Sequence, residues 1–359
     1  MATTTAEASP APGSERLRSV SVLQRVLARP AAGALLIVVF VWLVFLAISI
    51  AKGSFAFVTA AGTLNYLNVA AQVGIVGTAV ALLMIAGEFD LSIGSLVGFA
   101  GIIIGIGVTI WHLPVWLSIL LSMALTTGLG VINGLIVVRT GLPSFIVTLA
   151  TLFLIRGISS VLTSSVTVIT YIPIDRSAMA GDPAATLFSW SLPLRVDDTN
   201  TELTVAILWW LAIMAIGTYV LGRTKFGNWI TGVGGSPAAA RNLGVPVARV
   251  KISLFALTAF SAAILAAIQS TRYFSADILR GQGLELDAIT TAVIGGSLLT
   301  GGYGSVVGAA LGALALGMAR QGIVFASINA DWYLITLGTL LLAAVVLNNW
   351  IRRRFAGLR

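Results

Sequence analysis

The chain has 359 residues, of which 58% are hydrophobic and only 9% charged, with a net charge of +8. Soluble domains carry about 25% charged residues, so this composition excludes an ordinary soluble domain. The absence of Cys excludes a disulfide framework and a thiolate metal site. The sequence contains no Gly-x-x-x-x-Gly-Lys-Ser/Thr phosphate loop, and none of its lysines (Lys52, Lys225, Lys251) follows a glycine, so any ATP hydrolysis falls to another chain. The basic residues cluster at the ends of apolar segments, which points to a membrane and away from nucleic acid.

Residues 1–30 are polar, rich in Ala, Ser, Thr and Pro, and carry Arg16, Arg18, Arg25 and Arg29. They read as a disordered cytoplasmic tail. The apolar run at 31–51 exceeds a signal-peptide core of about 7–15 residues and reads as a retained span. Further spans are predicted at 66–86, 91–111, 114–138, 145–165, 203–222, 252–271, 286–299, 305–328 and 332–350. Four intervals, Arg29 to Lys52, Glu202 to Arg223, Lys251 to Arg272 and Asp331 to Arg352, hold no charged side chain. Each is about 20 residues, or about 30 Å of helix, the thickness of a bilayer core. The eighth segment is short and preceded by Glu285 and Asp287, so it reads as a broken or tilted helix.

The expected fold is an all-α, polytopic bundle of about ten transmembrane helices, some short or broken. It consists of a membrane domain at 31–350 and a basic tail at 351–359. With both termini in the cytoplasm, 14 Lys and Arg fall inside and five outside, while nine acidic residues fall outside. This predicts a multi-pass membrane protein, with an inner loop at 223–251 and an outer loop at 166–202. The outer loop, with Asp175, Asp182, Asp197, Asp198 and Glu202, reads as a solvated connector or as a docking surface for an external partner.

Three segments stand out. In Gly87-Glu88-Phe89-Asp90-Leu91-Ser92-Ile93-Gly94-Ser95, two carboxylates lie between apolar runs, and Asp90 is positioned to N-cap the third span. Such carboxylates cap a helix, pair with a cation or face a cavity. In the inner loop, the glycines of Gly232-Val233-Gly234-Gly235 permit a turn. Ser236 and Pro237 suit a helix start and Gly244 a stop, so a helix of about two turns is expected there. In Gly283-Leu284-Glu285-Leu286-Asp287, followed by Gly295-Gly296 and Gly301-Gly302, acids and paired glycines flank a short apolar piece. This predicts irregular backbone at membrane depth or close helix packing. Small-xxx-small spacing at Gly94/Gly98, Gly101/Gly105, Gly304/Gly308 and Gly308/Gly312 predicts tight helix contacts. Residues considered for a transport path are Glu88, Asp90, Ser92, Asn133, Thr148, Thr151, Gln269, Glu285 and Asp287. Asn68, Gln72, Arg156, Arg320 and Gln321 are polar within spans, the two arginines being candidates to snorkel to an interface.

Together these motifs resemble the permease subunits of bacterial ATP-powered importers of the ribose, xylose, arabinose and galactose type. The resemblance covers residues 64–349. GEFDLSIGS is similar to the family's Gly-Gly-Ile-Asp-Leu-Ser-Val-Gly-Ser, with Glu88 departing from the usual Gly or apolar residue. Leu142-Pro143-Ser144-Phe145-Ile146-Val147-Thr148-Leu149 with Arg156-Gly157, Gly234 to Gly244, and Gly283-x-Glu285-Leu286-Asp287-Ala288-Ile289 resemble three further signatures. The resemblance implies a second permease copy (a homodimer), a cytoplasmic ATP-binding-cassette ATPase and an extracytoplasmic sugar-binding protein. The coupling segment to the ATPase would be Gly234, Gly235, Ser236, Pro237, Ala238, Ala239, Ala240, Arg241, Asn242, Leu243 and Gly244. No cofactor, metal or catalytic residue is expected, and the chain is not read as an enzyme. Importers of branched amino acids or autoinducers are related alternatives. An ion-coupled secondary transporter is the alternative from another class; it needs acids at midplane, and Glu88, Asp90, Glu285 and Asp287 thread toward span ends.

Overall fold

The computed structural model describes residues 31–167, 170–196 and 199–355. The predicted tail at 1–30, the last residues of the predicted tail at 351–359, and Asp197 and Asp198 lie outside the described residues. In chain order the helices are α1 (Ala31–Lys52), α2 (Ala60–Ile85), α3 (Ile93–Thr109), α4 (Val115–Thr140), α5 (Ser144–Ser164), α6 (Pro183–Ser189), α7 (Val205–Arg223), α8 (Lys225–Gly235), α9 (Pro237–Asn242), α10 (Val247–Tyr273), α11 (Leu284–Ile294), α12 (Val306–Phe325) and α13 (Trp332–Phe355). All ten predicted segments are present. Eight (α1, α2, α4, α5, α7, α10, α12 and α13) are long and apolar enough to cross a membrane; α3, at 17 residues, and α11, at 11, are shorter. The last helix runs into the predicted basic tail as far as Phe355.

The helices form an inner and an outer set. The most apolar windows of α2, α10 and α12 are 83%, 67% and 72% buried, against 11–33% for α1, α4, α5, α7 and α13. The inner set is therefore built from small residues, among them Ala262, Ala263, Ala266 and Ala267 of α10 and Gly308 and Gly312 of α12. Lipid is as apolar as leucine, so hydrophobicity alone does not draw helices together; close backbone approach does. The outer set turns large side chains such as Phe40, Phe153, Val161 and Leu342 outward.

The two ends of the bundle differ. One carries α8 and α9. The other carries two small antiparallel sheets, β1 (Tyr171–Pro173) with β4 (Ser275–Asp277) and β2 (Ser191–Val196) with β3 (Thr199–Thr204), so the all-α bundle has a minor β trim. The described parts of the long loop at 166–202 are held by specific contacts. Asp182 caps α6 through the Ala184 and Ala185 amides and also accepts the Trp116 amide at the start of α4. Asp175 accepts the Ser177 amide, and Glu202 pairs with Arg272 at 2.9 Å.

Two stretches depart from the sequence reading. Gly232 to Gly235 do not make a turn: they form the last turn of α8, which is N-capped by Thr224, whose hydroxyl accepts the Gly227 amide. The predicted short helix follows as α9, with Ser236 Oγ accepting the Ala239 amide and Gly244 at φ +80° ending it. Second, the glycines of α3 receive the non-helical stretch between α10 and α11 as well as neighbouring helices: Ala276 lies on Gly105, the Ile278 carbonyl on Gly98 and Gly281 on the Gly94 carbonyl, while Gly101 meets Ser270 of α10 and Gly107 meets Ser118 of α4. The chain thus descends along α3 before α11 begins. The glycines of α12 behave as predicted, Gly308 against Gly295 and Gly312 against Thr291 of α11.

Candidate functional site

The residues considered for a path separate into two groups. Glu88, Asp90, Ser92, Asn133, Thr148 and Thr151 lie around the break between α2 and α3, at the α9 end. Residues 86–92 are non-helical, and their amides need partners at membrane depth. The first two turns of α5 supply them: Ser144 Oγ accepts the Phe89 amide and Thr148 Oγ1 the Leu91 amide, both at 3.0 Å. One helical turn separates the two hydroxyls, which explains their spacing in the Pro-Ser-Phe-Ile-Val-Thr run.

Asp90 does not N-cap α3; Ser92 holds that position. Asp90 is fully buried and accepts the Ser92 amide at 2.9 Å, the Ser92 hydroxyl at 2.5 Å and the Thr258 hydroxyl of α10 at 2.7 Å. Asn133 of α4 donates to Ser92 Oγ at 3.1 Å and accepts from Thr151 at 2.7 Å. The network ties α3, α4, α5 and α10 together, and Thr258 is a member the sequence reading missed. Glu88 forms an ion pair with Lys251. None of these six residues lines the cavity described next.

That cavity lies between α2, α10 and α12, toward the β-sheet end. It has two compartments of about 200 and about 380 Å³ that share Val69, Gln72, Gln269 and Gln321. The upper one adds Asn65, Asn68 and Arg272, the lower one Gln282, Asp287 and Arg320. Carboxamides dominate its polar lining. Gln269 Nε2 donates to Gln72 Oε1 at 2.9 Å, and Asn68 bridges Thr204 and the Glu202 carbonyl. Amides both donate and accept, and they carry no charge. The sequence reading noted Asn68, Gln72 and Gln321 only singly, because they sit on different helices; Asn65 and Gln282 were missed.

Asp287 closes the lower compartment. Its Oδ1 accepts the Tyr333 hydroxyl at 3.0 Å, and its Oδ2 lies 3.8 Å from Arg320 Nη1, whose guanidinium stacks 4.9 Å above the Tyr333 ring. Arg320 is therefore paired, not snorkelling. Glu285 and Asp287 stand in the first turn of α11, at the end of that segment as the sequence suggests. Thr291 faces Gly77, about 12 Å along α2 from its Ile85 end, and Asp287 is one turn farther in. Both acids begin a helix that itself starts inside the bundle.

Residues 62–345 match the family model described as the permease component of the branched-chain amino acid transport system. The chain belongs to this family. Among its relatives are a ribose import permease of Haemophilus influenzae (31% identical over 80% of this chain and 85% of the relative) and a fructose import permease of Rhizobium meliloti (30%, 80% and 77%). A xylose transport system permease of Escherichia coli is 30% identical over 83% and 87% of the two chains. No solved structure matches. This permease is a multi-pass membrane protein, and its relatives are transport proteins, not enzymes. As a permease component it works with an energy-supplying partner and a solute-delivering one.

Proposed function

We propose that this permease is the membrane-spanning subunit of an ATP-binding-cassette importer that carries a monosaccharide or related polyol. The observation that carries this reading is the amide-rich cleft at the β-sheet end, whose charged members, Asp287 and Arg320, are paired with each other. Its larger compartment falls within the range of about 300–1,000 Å³ usual for small-molecule sites. Carboxamides match hydroxyl groups of either hydrogen-bonding sense. The relatives named for ribose, fructose and xylose support the same substrate class.

In this reading the β-sheet end faces outward, toward a sugar-binding protein, and both termini are cytoplasmic, as the Lys and Arg count favours. Exposed α9, with Leu243 85% exposed, receives the ATPase. A second copy covers the cleft. Asn65, Gln72, Gln321 and Arg320 are only partly buried at membrane depth, where polar groups need a partner or a wet cavity. The path residues are then Gln72, Gln269, Asp287 and Arg320, while the Asp90 network holds the break. ATP-driven closure of the ATPases moves the α9 helices and alternates access to the cleft.

The test is purification with the co-expressed partners and measurement of which sugars stimulate ATP turnover. Stimulation by a monosaccharide delivered by its binding protein is expected. Robust accumulation in vesicles lacking the ATPase would reject the reading in favour of an ion-coupled carrier.

A further inference from the structure

The α9 end of the bundle contains a backbone junction that joins Gly234 and Gly235, the start of the expected coupling segment, to two breaks outside it. Three chain segments meet there without side chains between them: the end of α8, the break after α2, and the break between α11 and α12. The Gly302 amide donates to the Ile85 carbonyl at 2.8 Å, joining the second break to the last residue of α2. Gly234 sits against both. A Cβ at Gly234 would overlap the Ile85 carbonyl oxygen and come within 2.5 Å of the Gly302 nitrogen. A Cβ at Gly301 would lie 2.8 Å from the Gly87 Cα, and one at Gly302 2.9 Å from the Gly235 Cα. Gly87, Gly301 and Gly302 all have positive φ, between +76° and +84°, so the two breaks depend on glycine for their shape as well as their closeness.

What each segment carries gives the junction its meaning. Immediately after Gly235 comes α9. At the far side of the Ile85 contact is α2, the most buried of the eight long helices, which carries Asn65, Asn68 and Gln72 into the cleft. At the far side of Gly295 to Ser305 are α11 and α12, which carry Asp287, Arg320 and Gln321 into the same cleft. Packed backbones transmit displacement because the contacts have no side-chain slack to absorb it. Ile230 and Val233 of α8, both fully buried against Ile85 and Val250, fix the rest of the helix to the same point.

We propose that Gly234 is a positioning residue that couples α9 to the cleft, passing its displacement through the Ile85–Gly302 contact to α2 and to the α11–α12 pair at once. This rests on the reading of α9 as the ATPase contact. The test uses the complete transporter with its co-expressed ATPase, comparing Gly234→Ala with Gly222→Ala, a helical glycine at the same end whose Cβ meets open space. The readout is solute accumulated per ATP hydrolysed. A fall of at least fivefold for Gly234→Ala, with the wild-type ratio for Gly222→Ala, is expected; a wild-type ratio for Gly234→Ala would overturn the proposal. If Gly234→Ala does not reach the membrane, hydrogen exchange on the wild-type complex decides. ATP is expected to change exchange in 229–243, 84–90 and 298–304 together. A response confined to 229–243 overturns the junction but leaves the importer reading intact. No response in 229–243 removes the coupling reading and this inference with it.

Discussion

Lys251, one turn into α10, forms an ion pair with Glu88 in the break after α2, and the two side chains are only 18% and 10% exposed. Glu88 is a position where the sequence departs from the motif it resembles, and the departure has a partner. Removing one member of a buried pair costs about 3–5 kcal/mol because the other charge is left uncompensated. Lys251→Met is therefore expected to lower the thermal midpoint of the detergent-solubilised protein sharply, and Glu88→Met with Lys251→Met to restore most of it. Equal losses in the single and double variants would show that the pair is not the source.

Asp90 receives three donors in a fully buried setting, so Asp90→Ala strands the Ser92 amide and hydroxyl, while Thr258 keeps the Phe255 carbonyl. Each unpaired buried donor costs about 1–3 kcal/mol. The expected result is a severe loss of protein in the membrane, with an unchanged KM for uptake by the fraction that remains. A shifted KM at normal abundance would place Asp90 on the path instead.

Gln72 and Gln269 bond to each other across the cleft and share both compartments. Gln269→Ala removes one amide from the proposed sugar path. At about 0.5–1.5 kcal/mol for a neutral hydrogen bond, KM is expected to rise about two- to tenfold with abundance preserved. Uptake kinetics in vesicles of the complete transporter give the answer, and an unchanged KM would remove Gln269 from the path.

Arg320, with its side chain 53% exposed and held by Asp287, brings a charged donor to the same cleft. Charge-assisted hydrogen bonds contribute about 1.5–3 kcal/mol, so Arg320→Gln is expected to raise KM at least tenfold. Asp287→Ala is expected to reduce abundance, since it leaves the guanidinium and the Tyr333 hydroxyl without their acceptor. Combining it with Arg320→Gln should recover abundance but not KM.

The spans were legible because a missing charge over twenty residues is a signal each segment carries alone. Helix α9 was legible for a similar local reason, Ser236 and Pro237 before it and Gly244 after. Helix α8 was not. Its tail of Gly232, Gly234 and Gly235 has poor helix propensity, each glycine costing about 1 kcal/mol against Ala. What holds it helical is the packing of Ile230, Val233 and Gly234 on the end of α2, which lies some 150 residues away in sequence and leaves no trace in the local pattern. The cleft was half legible: Gln72, Gln269 and Gln321 stood out as polar residues in spans, but only the fold brings their three helices together. The start of α11 inside the bundle was not legible, because a stretch descending along α3 has no hydropathy signature to tell it from a surface loop.

Helix α11 starts at the floor of the cleft and its 11 residues span about 16 Å, roughly half of a bilayer core of about 30 Å. On the proposed path, a solute beside Asp287 would therefore face a barrier no longer than a half-length helix.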